Sequence, residues 1–315
     1  MPRRLLLLGL LALATPCGGG HVAVGEAIPA GAGAGAALSA AGGGLPPIRS
    51  VLDPHFHPER TFLFRGADAP VSVEQRFDRG PLQHGAACDG TGAAVWDAAL
   101  VLCEFLALHP DLVRGKRVVE LGSGTGVLGL VCARLGAERV ILTDLPEQLP
   151  LLEDNVRRNA LETRVAVRGC AWGSQPAVRE VIAALGGPPD LVVASDVVYC
   201  AAADPLDPHQ SPRAVFDALK ATLKDLCPIG AQGLLSYKRR MNPEADAFVF
   251  ESLAREFGVE QREVLFHVAG GAPLRGTYEI LALTPLTPRG AGAGDVAGAG
   301  AGEGAGDGAG DRAGE

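Results

Sequence analysis

The sequence has no Cys-x-x-Cys pair, few aromatic residues, no excess of positive charge and no apolar run long enough to cross a bilayer. Its seven cysteines (Cys17, Cys88, Cys103, Cys132, Cys170, Cys200 and Cys227) are scattered and odd in number. That excludes a disulfide framework and a cysteine-based metal site, and fits a reducing compartment where cysteine serves as a small buried apolar residue. His55 and His57 stand two apart with no matching Cys/His pair after them, so they read as loop residues and no metal is expected. A net charge of −8 disfavours binding to a phosphate backbone, which excludes nucleic acid as the expected partner. The apolar run from Leu5 to Ala14 follows Arg3 and Arg4, has the size of a signal-peptide core and is too short to span a membrane. It speaks against the cysteine usage, and both a targeting signal and an unstructured leader fit it.

Glycine is abundant, at 43 residues, but much of it sits at the two ends. Stretches such as GAGAGAA before Arg49, and the Gly/Ala repeat after Gly290, carry too little apolar side chain to offset backbone ordering. Residues 1–59 are therefore read as a leader and a disordered Gly/Ala-rich segment, and 288–315 as a disordered acidic tail. From Arg289 the tail has five acids against two arginines. This leaves residues 60–287 as one folded domain.

Within that domain strand-like and helix-like text alternates, which predicts an α/β fold: a Rossmann-like, doubly wound, seven-stranded and mainly parallel sheet with a C-terminal antiparallel hairpin. Val71 to Phe77 hints at a short strand or hairpin. Helical spacing of Val95, Ala98, Ala99, Leu102, Phe105 and Leu106 predicts an amphipathic helix. Parallel strands are expected at Lys116–Leu121, Arg139–Thr143, Arg164–Val167, Leu191–Ser195 and Gly233–Tyr237. Helices are expected between them, with Gly136 closing the one after the first strand in a left-handed conformation. A helix over Ala245–Phe257 and an antiparallel pair, Glu263–Val268 with Tyr278–Leu283, complete the prediction.

Ligands in such sheets bind beyond the carboxyl ends of the strands. That rule nominates Glu120 to Gly126, Asp144, Cys170 to Trp172 and Ser195 to Tyr199. The text VVELGSGTG feeds a strand through a glycine-rich turn into a helix, letting backbone approach a ligand closely. Two registers fit: GxGxG on Gly122, Gly124 and Gly126, or the dinucleotide GxGxxG on Gly124, Gly126 and Gly129. Glu120 favours the first, because fixed negative charge beside the loop repels a diphosphate and suits a cationic ligand such as S-adenosylmethionine. Asp144, at the end of the next strand, suits a ribose in either ligand.

VWDAA at 95–99, VVELGSGTG, LTDLPE at 142–147, AWG at 171–173 and SDVVY at 195–199 together resemble the intracellular protein-lysine methyltransferases of methyltransferase family 16, of the methyltransferase-like 21 type. The resemblance implies a class I fold with S-adenosyl-L-methionine as cofactor. By it, Gly122, Ser123 and Gly124 match backbone contacts to the cofactor and Asp144 a ribose contact. Trp96 and Trp172 match tryptophans near the cofactor, Ser195 the position before the motif aspartate, and Asp196 and Tyr199 the DxxY pair beside the methyl group. It implies a protein substrate of the chaperone, elongation-factor or ATPase class.

Elementary chemistry points the same way. A lysine amine has a pKa around 10.4 and attacks only when neutral. It must be desolvated and aligned with the departing sulfur. Asp196 would hold the incoming ammonium and orient the amine, and Tyr199 would pack against the alkyl stem or methyl group and help exclude water. The domain is expected to be a cytoplasmic monomer, with nuclear presence also consistent, and to keep off membranes. An NAD(P)-dependent oxidoreductase in the GxGxxG register, and a catalytically silent cofactor-binding module, are the alternative readings.

Overall fold

A computed structural model describes residues 57–76, 91–199, 212–240, 242–262 and 277–286. The leader, the acidic tail, the loop after Tyr199, the GGAPLRG turn and the strand expected at 263–268 lie outside the described residues.

The apolar runs pair as a seven-stranded sheet in the order β5-β4-β3-β6-β7-β9-β8. Its strands are β3 (Arg117–Leu121), β4 (Arg139–Asp144), β5 (Val165–Gly169), β6 (Leu191–Ser195), β7 (Gln232–Arg239), β8 (Phe257–Arg262) and β9 (Thr277–Pro285). The first five in that order are parallel, and β9 runs antiparallel to both β7 and β8. This is the expected doubly wound α/β sheet.

Both faces of the central strands are buried, as the near-continuous apolar text requires. Val118, Val140, Leu142, Leu191 and Val193 face one apolar core, together with α1 (Asp97–Leu108), α2 (Val127–Arg134) and α3 (Leu149–Arg158). Their neighbours Val119, Ile141, Val192 and Ala194 face a second core with α4 (Gln175–Leu185), α5 (Pro212–Leu226) and α6 (Pro243–Ala247). Helix α2 ends as its glycine predicts: Gly136 sits at φ 98°, and Ala137 N–H reaches back to the Cys132 carbonyl at 3.0 Å.

The C-terminal part departs from expectation. The helix predicted over Ala245–Phe257 is α-helical only as far as Ala247, then widens to a π-helical turn at Phe248–Ser252 and tightens to a 3-10 turn at Leu253–Arg255. Phe257 instead opens β8, where Val259 pairs with Leu283 and Gln261 with Leu281. Phe248, Val249, Leu253 and Phe257 are all buried, so the apolar spacing is real, but sheet partners on β9 take the backbone of its last member.

The hint of a hairpin at Val71 is resolved as β1 (Glu59–Phe62) against β2 (Val71–Glu74). Helix α3 binds the outer edge of β2 through Asn155 and Asn159. Asn155 accepts from Glu74 N–H at 2.7 Å and donates to the Glu74 carbonyl at 3.1 Å. Asn159 does the same for Ser72, at 3.0 and 2.7 Å. A carboxamide carries the same donor and acceptor as a peptide unit, and a four-residue helical step nearly matches two residues of strand. Two asparagines thus imitate a neighbouring strand.

Candidate active site

The parallel register brings the carboxyl ends of β3, β4 and β6 level, with Leu121 opposite both Thr143 and Ala194. Gly122, Gly124 and Gly126 leave β3 at φ 61°, 55° and 80°, a region that a side chain resists. The loop is stitched to β4: Ser123 N–H donates to the Thr143 carbonyl at 2.9 Å, and Ser123 Oγ accepts from Thr143 N–H at 3.0 Å. Gly124 N–H donates to Asp144 Oδ2 at 2.8 Å, and Leu145 N–H to Asp144 Oδ1 at 2.8 Å. Burial raises the Asp144 carboxyl above its ordinary value, while these two N–H groups pull it back down.

The Ser123 N–H is thus used on β4, and one expectation for the loop is corrected. Glu120, expected to present a fixed negative charge, is 1% exposed and lies beneath α2, accepting from Gly129 N–H at 3.0 Å. Burial pushes its carboxyl up to about 8, against the pull of that N–H, so at neutral pH it is mostly protonated. Gly129 has a packing reason: a Cβ there would stand 2.2 Å from Leu142 and 2.8 Å from Glu120. Gly126 serves as the left-handed entry to α2.

Past β6 the backbone turns sharply. Ser195 is half-buried opposite Ser236 on β7, and Asp196 takes φ 55°, rare for a residue with a side chain. Its N–H donates to the Ser236 carbonyl at 3.0 Å. Val197 is buried against the glycine loop, its Cγ1 only 2.8 Å from where a Gly122 Cβ would stand. Trp172, half-buried, has its ring edge 3.3 Å from the same point. Exposed Tyr199 meets Thr91 Oγ1 at 3.2 Å, and Trp96 Nε1 donates to the Thr91 carbonyl at 2.7 Å. The predicted residues therefore come together at one sheet edge, apart from the buried carboxyl of Glu120.

Three contributors escaped the sequence reading. Gly92 lies over the loop, its carbonyl 2.9 Å from where a Gly124 Cβ would stand. Buried Gln148 donates to the Gly124 carbonyl at 3.3 Å. Arg240 bonds Asp196 through both guanidinium nitrogens, at 2.6 and 2.5 Å. The strand-end rule could have found it, since the run Lys238–Arg239–Arg240 stands at the carboxyl end of β7, next to β6 in the sheet. Among the described residues no group of acids, histidines and cysteines could hold a metal.

Residues 83–256, more than half the chain, match the sequence model of a family described as lysine methyltransferase. EEF1A lysine methyltransferase 3 of Mus musculus is 36% identical over 172 residues, 54% of this chain and 66% of that protein. Protein N-lysine methyltransferase METTL21A of Danio rerio is 35% identical over 175 residues, 55% of this chain and 71% of that protein. Among solved structures, a TehB-like S-adenosylmethionine-dependent methyltransferase of Corynebacterium glutamicum overlaps 62% of this chain and 91% of its own, at 11% identity and a TM-score of 0.42.

Proposed function

The chain belongs to the lysine methyltransferase family, and from that premise we propose that it methylates a protein lysine, using S-adenosylmethionine, at the aligned ends of β3, β4 and β6. When bound, this cofactor supplies an electrophilic methyl group on a sulfonium. The donor set fits it. A carboxylate offers about four lone-pair sites, and Asp144 gives two of them to loop N–H groups, keeping the others for ribose hydroxyls. Half-buried Trp172 beside Gly122, and Trp96 tied to Thr91, provide aromatic walls.

One observation carries the assignment of the chemistry: Val197 packs on Gly122, so its neighbour Asp196 and nearby Tyr199 flank the loop that holds the cofactor. Asp196 accepts a hydrogen bond from the incoming amine and orients its lone pair. Tyr199, hydrogen-bonded to Thr91, walls the alkyl stem and keeps water away. Glu120 and Ser123 act one layer further in, holding the loop against α2 and β4.

The acceptor is a protein, of the chaperone, elongation-factor or ATPase class, and one relative's name, EEF1A lysine methyltransferase 3, favours the elongation factors. A reducing, cytoplasmic setting is supported by four buried free thiols, at Cys103, Cys132, Cys170 and Cys227. Among the described residues no helix is long and apolar enough to cross a membrane.

Incubating the protein with methyl-labelled S-adenosylmethionine and heat-treated cell lysate tests the assignment. The wild type should label a protein band on lysine, and Asp196→Asn should lower the rate at least a hundredfold, about the scale of one catalytic hydrogen-bonding group. Asparagine tolerates the left-handed backbone but gives up half of the bridge to Arg240, so the variant should melt lower while still folding, and its rate is read well below that temperature. Absence of label with the wild type overturns the activity, and an unimpaired variant overturns the role of Asp196.

A further inference from the structure

Arg240 is not one of the residues that the strand-end motifs nominate, yet it makes the strongest polar contact at the site. Both oxygens of Asp196 accept from it, in a planar bidentate bridge. The Asp196 side chain is 7% exposed and that of Arg240 is 36% exposed. Both carboxylate oxygens thus lie against one guanidinium, on the side of the site away from solvent.

The other described charges on β7 are matched elsewhere. On β7, Lys238 stands 3.7 Å from Asp97 of α1, which also accepts from the Tyr278 hydroxyl of β9 at 2.9 Å. Arg239 stands 3.6 Å from Asp246 of α6 and 3.9 Å from Glu279 of β9. Tyr237 donates to Asp246 at 2.9 Å. Burial raises the phenols of Tyr237 and Tyr278 well above their ordinary range, so both stay neutral through mildly alkaline pH.

A bare carboxylate would hold a lysine as its ammonium and raise its pKa, which opposes methyl transfer. A carboxylate already neutralised by a guanidinium offers an acceptor without net charge. We propose that Arg240 is a positioning residue for methyl transfer: it fixes the plane of the Asp196 carboxylate and cancels its charge, so that the lysine enters as the neutral amine. The inference rests on the reading of Asp196 as the group that receives the amine. The ammonium gives its proton to water on entry. The nitrogen lone pair then forms the N–C bond as the C–S bond breaks and its electrons pass to sulfur. The methylated ammonium loses a proton to water on release.

The pH dependence of labelling tests this, with the full chain, labelled S-adenosylmethionine and heat-treated lysate as acceptor, between pH 6.5 and 9.5. Without the guanidinium charge the amine's pKa in the complex rises, so the rising limb of the rate in Arg240→Gln should move up by about one pH unit. The loss should be about tenfold near pH 7.5 and should shrink as pH approaches the pKa of the amine in the complex. Arg240→Lys keeps the charge but not the fork; its limb should stay in place at a lower rate. A structural role lowers the rate equally at every pH, so a pH-independent loss in Arg240→Gln, or the same displacement in Arg240→Lys, overturns the inference. Asp196→Asn, run alongside, separates the two readings. If it labels at the wild-type rate, the role of Asp196 fails first; if it is impaired while Arg240→Gln keeps the wild-type limb, only the role of Arg240 fails.

Discussion

Glu120 shows how far one residue's setting can reverse its meaning. Beside a glycine loop in the sequence it reads as a charge facing a ligand; in the fold it is a mostly neutral acid under a helix, hydrogen-bonded to Gly129 N–H. Its folded-state value of about 8 lies above the ordinary 4.5, so the folded state binds the proton more tightly. The stability this confers is complete below pH 4.5 and is lost as pH rises through 8. Glu120→Gln cannot ionise, so between pH 5 and 9 it should gain on the wild type by on the order of a few kcal/mol. Melting temperatures of both proteins across that range check this, and a constant difference between them rejects it. Asp196 is the opposite case. DxxY nominated it for the role proposed above, but its left-handed backbone and its partner 44 residues on were not legible.

Elements here are joined by polar side chains as much as by apolar packing. The terminal hairpin β1–β2 is held to α3 by the amides of Asn155 and Asn159, and Asn155 also donates to the Thr125 carbonyl in the glycine loop at 2.9 Å. Removing that amide strands several polar groups, each costing about 1–3 kcal/mol when buried. Asn155→Ala should therefore destabilise the protein by about 2–4 kcal/mol and speed amide exchange in β2 well before the central strands. Urea titration and hydrogen exchange measure the two effects, and unchanged exchange at Glu74 would sink the strand-imitation account. The text NVRRN gives no sign of this function, because the strand it serves lies 81 residues earlier. The strands β3, β4 and β6, by contrast, were legible nearly to the residue, since burial on both faces writes itself as an unbroken apolar run. The helix after β7 was misread because its apolar spacing continues into β8.

At the scale of the molecule, two apolar cores clamp one sheet, and the thiols report on them. Burial pushes Cys170 up to about 11 and Cys227 up to about 12, and raises Cys103 and Cys132 well above the ordinary thiol value. Thiolates are the reactive form, so iodoacetamide at pH 8 should leave all four unmodified in the native protein and label them together once urea unfolds it. Mass spectrometry of the labelled cysteines checks this. Early labelling of Cys170 and Cys227 alone would show the core with α4, α5 and α6 opening independently.

The sequence by itself determined the alternation of strand and helix, the glycine turn and the acids at the strand ends. Each of these is a local requirement: apolar periodicity for burial, positive φ for glycine, an acid placed where a parallel strand stops. Only the tertiary structure decided that Glu120 is buried beneath a helix, that Arg240 closes on Asp196, that two asparagines imitate a strand, and where the last helix gives way to β8. Desolvation and pairing depend on the neighbours that distant parts of the chain supply, and no local stretch of sequence records who those neighbours are.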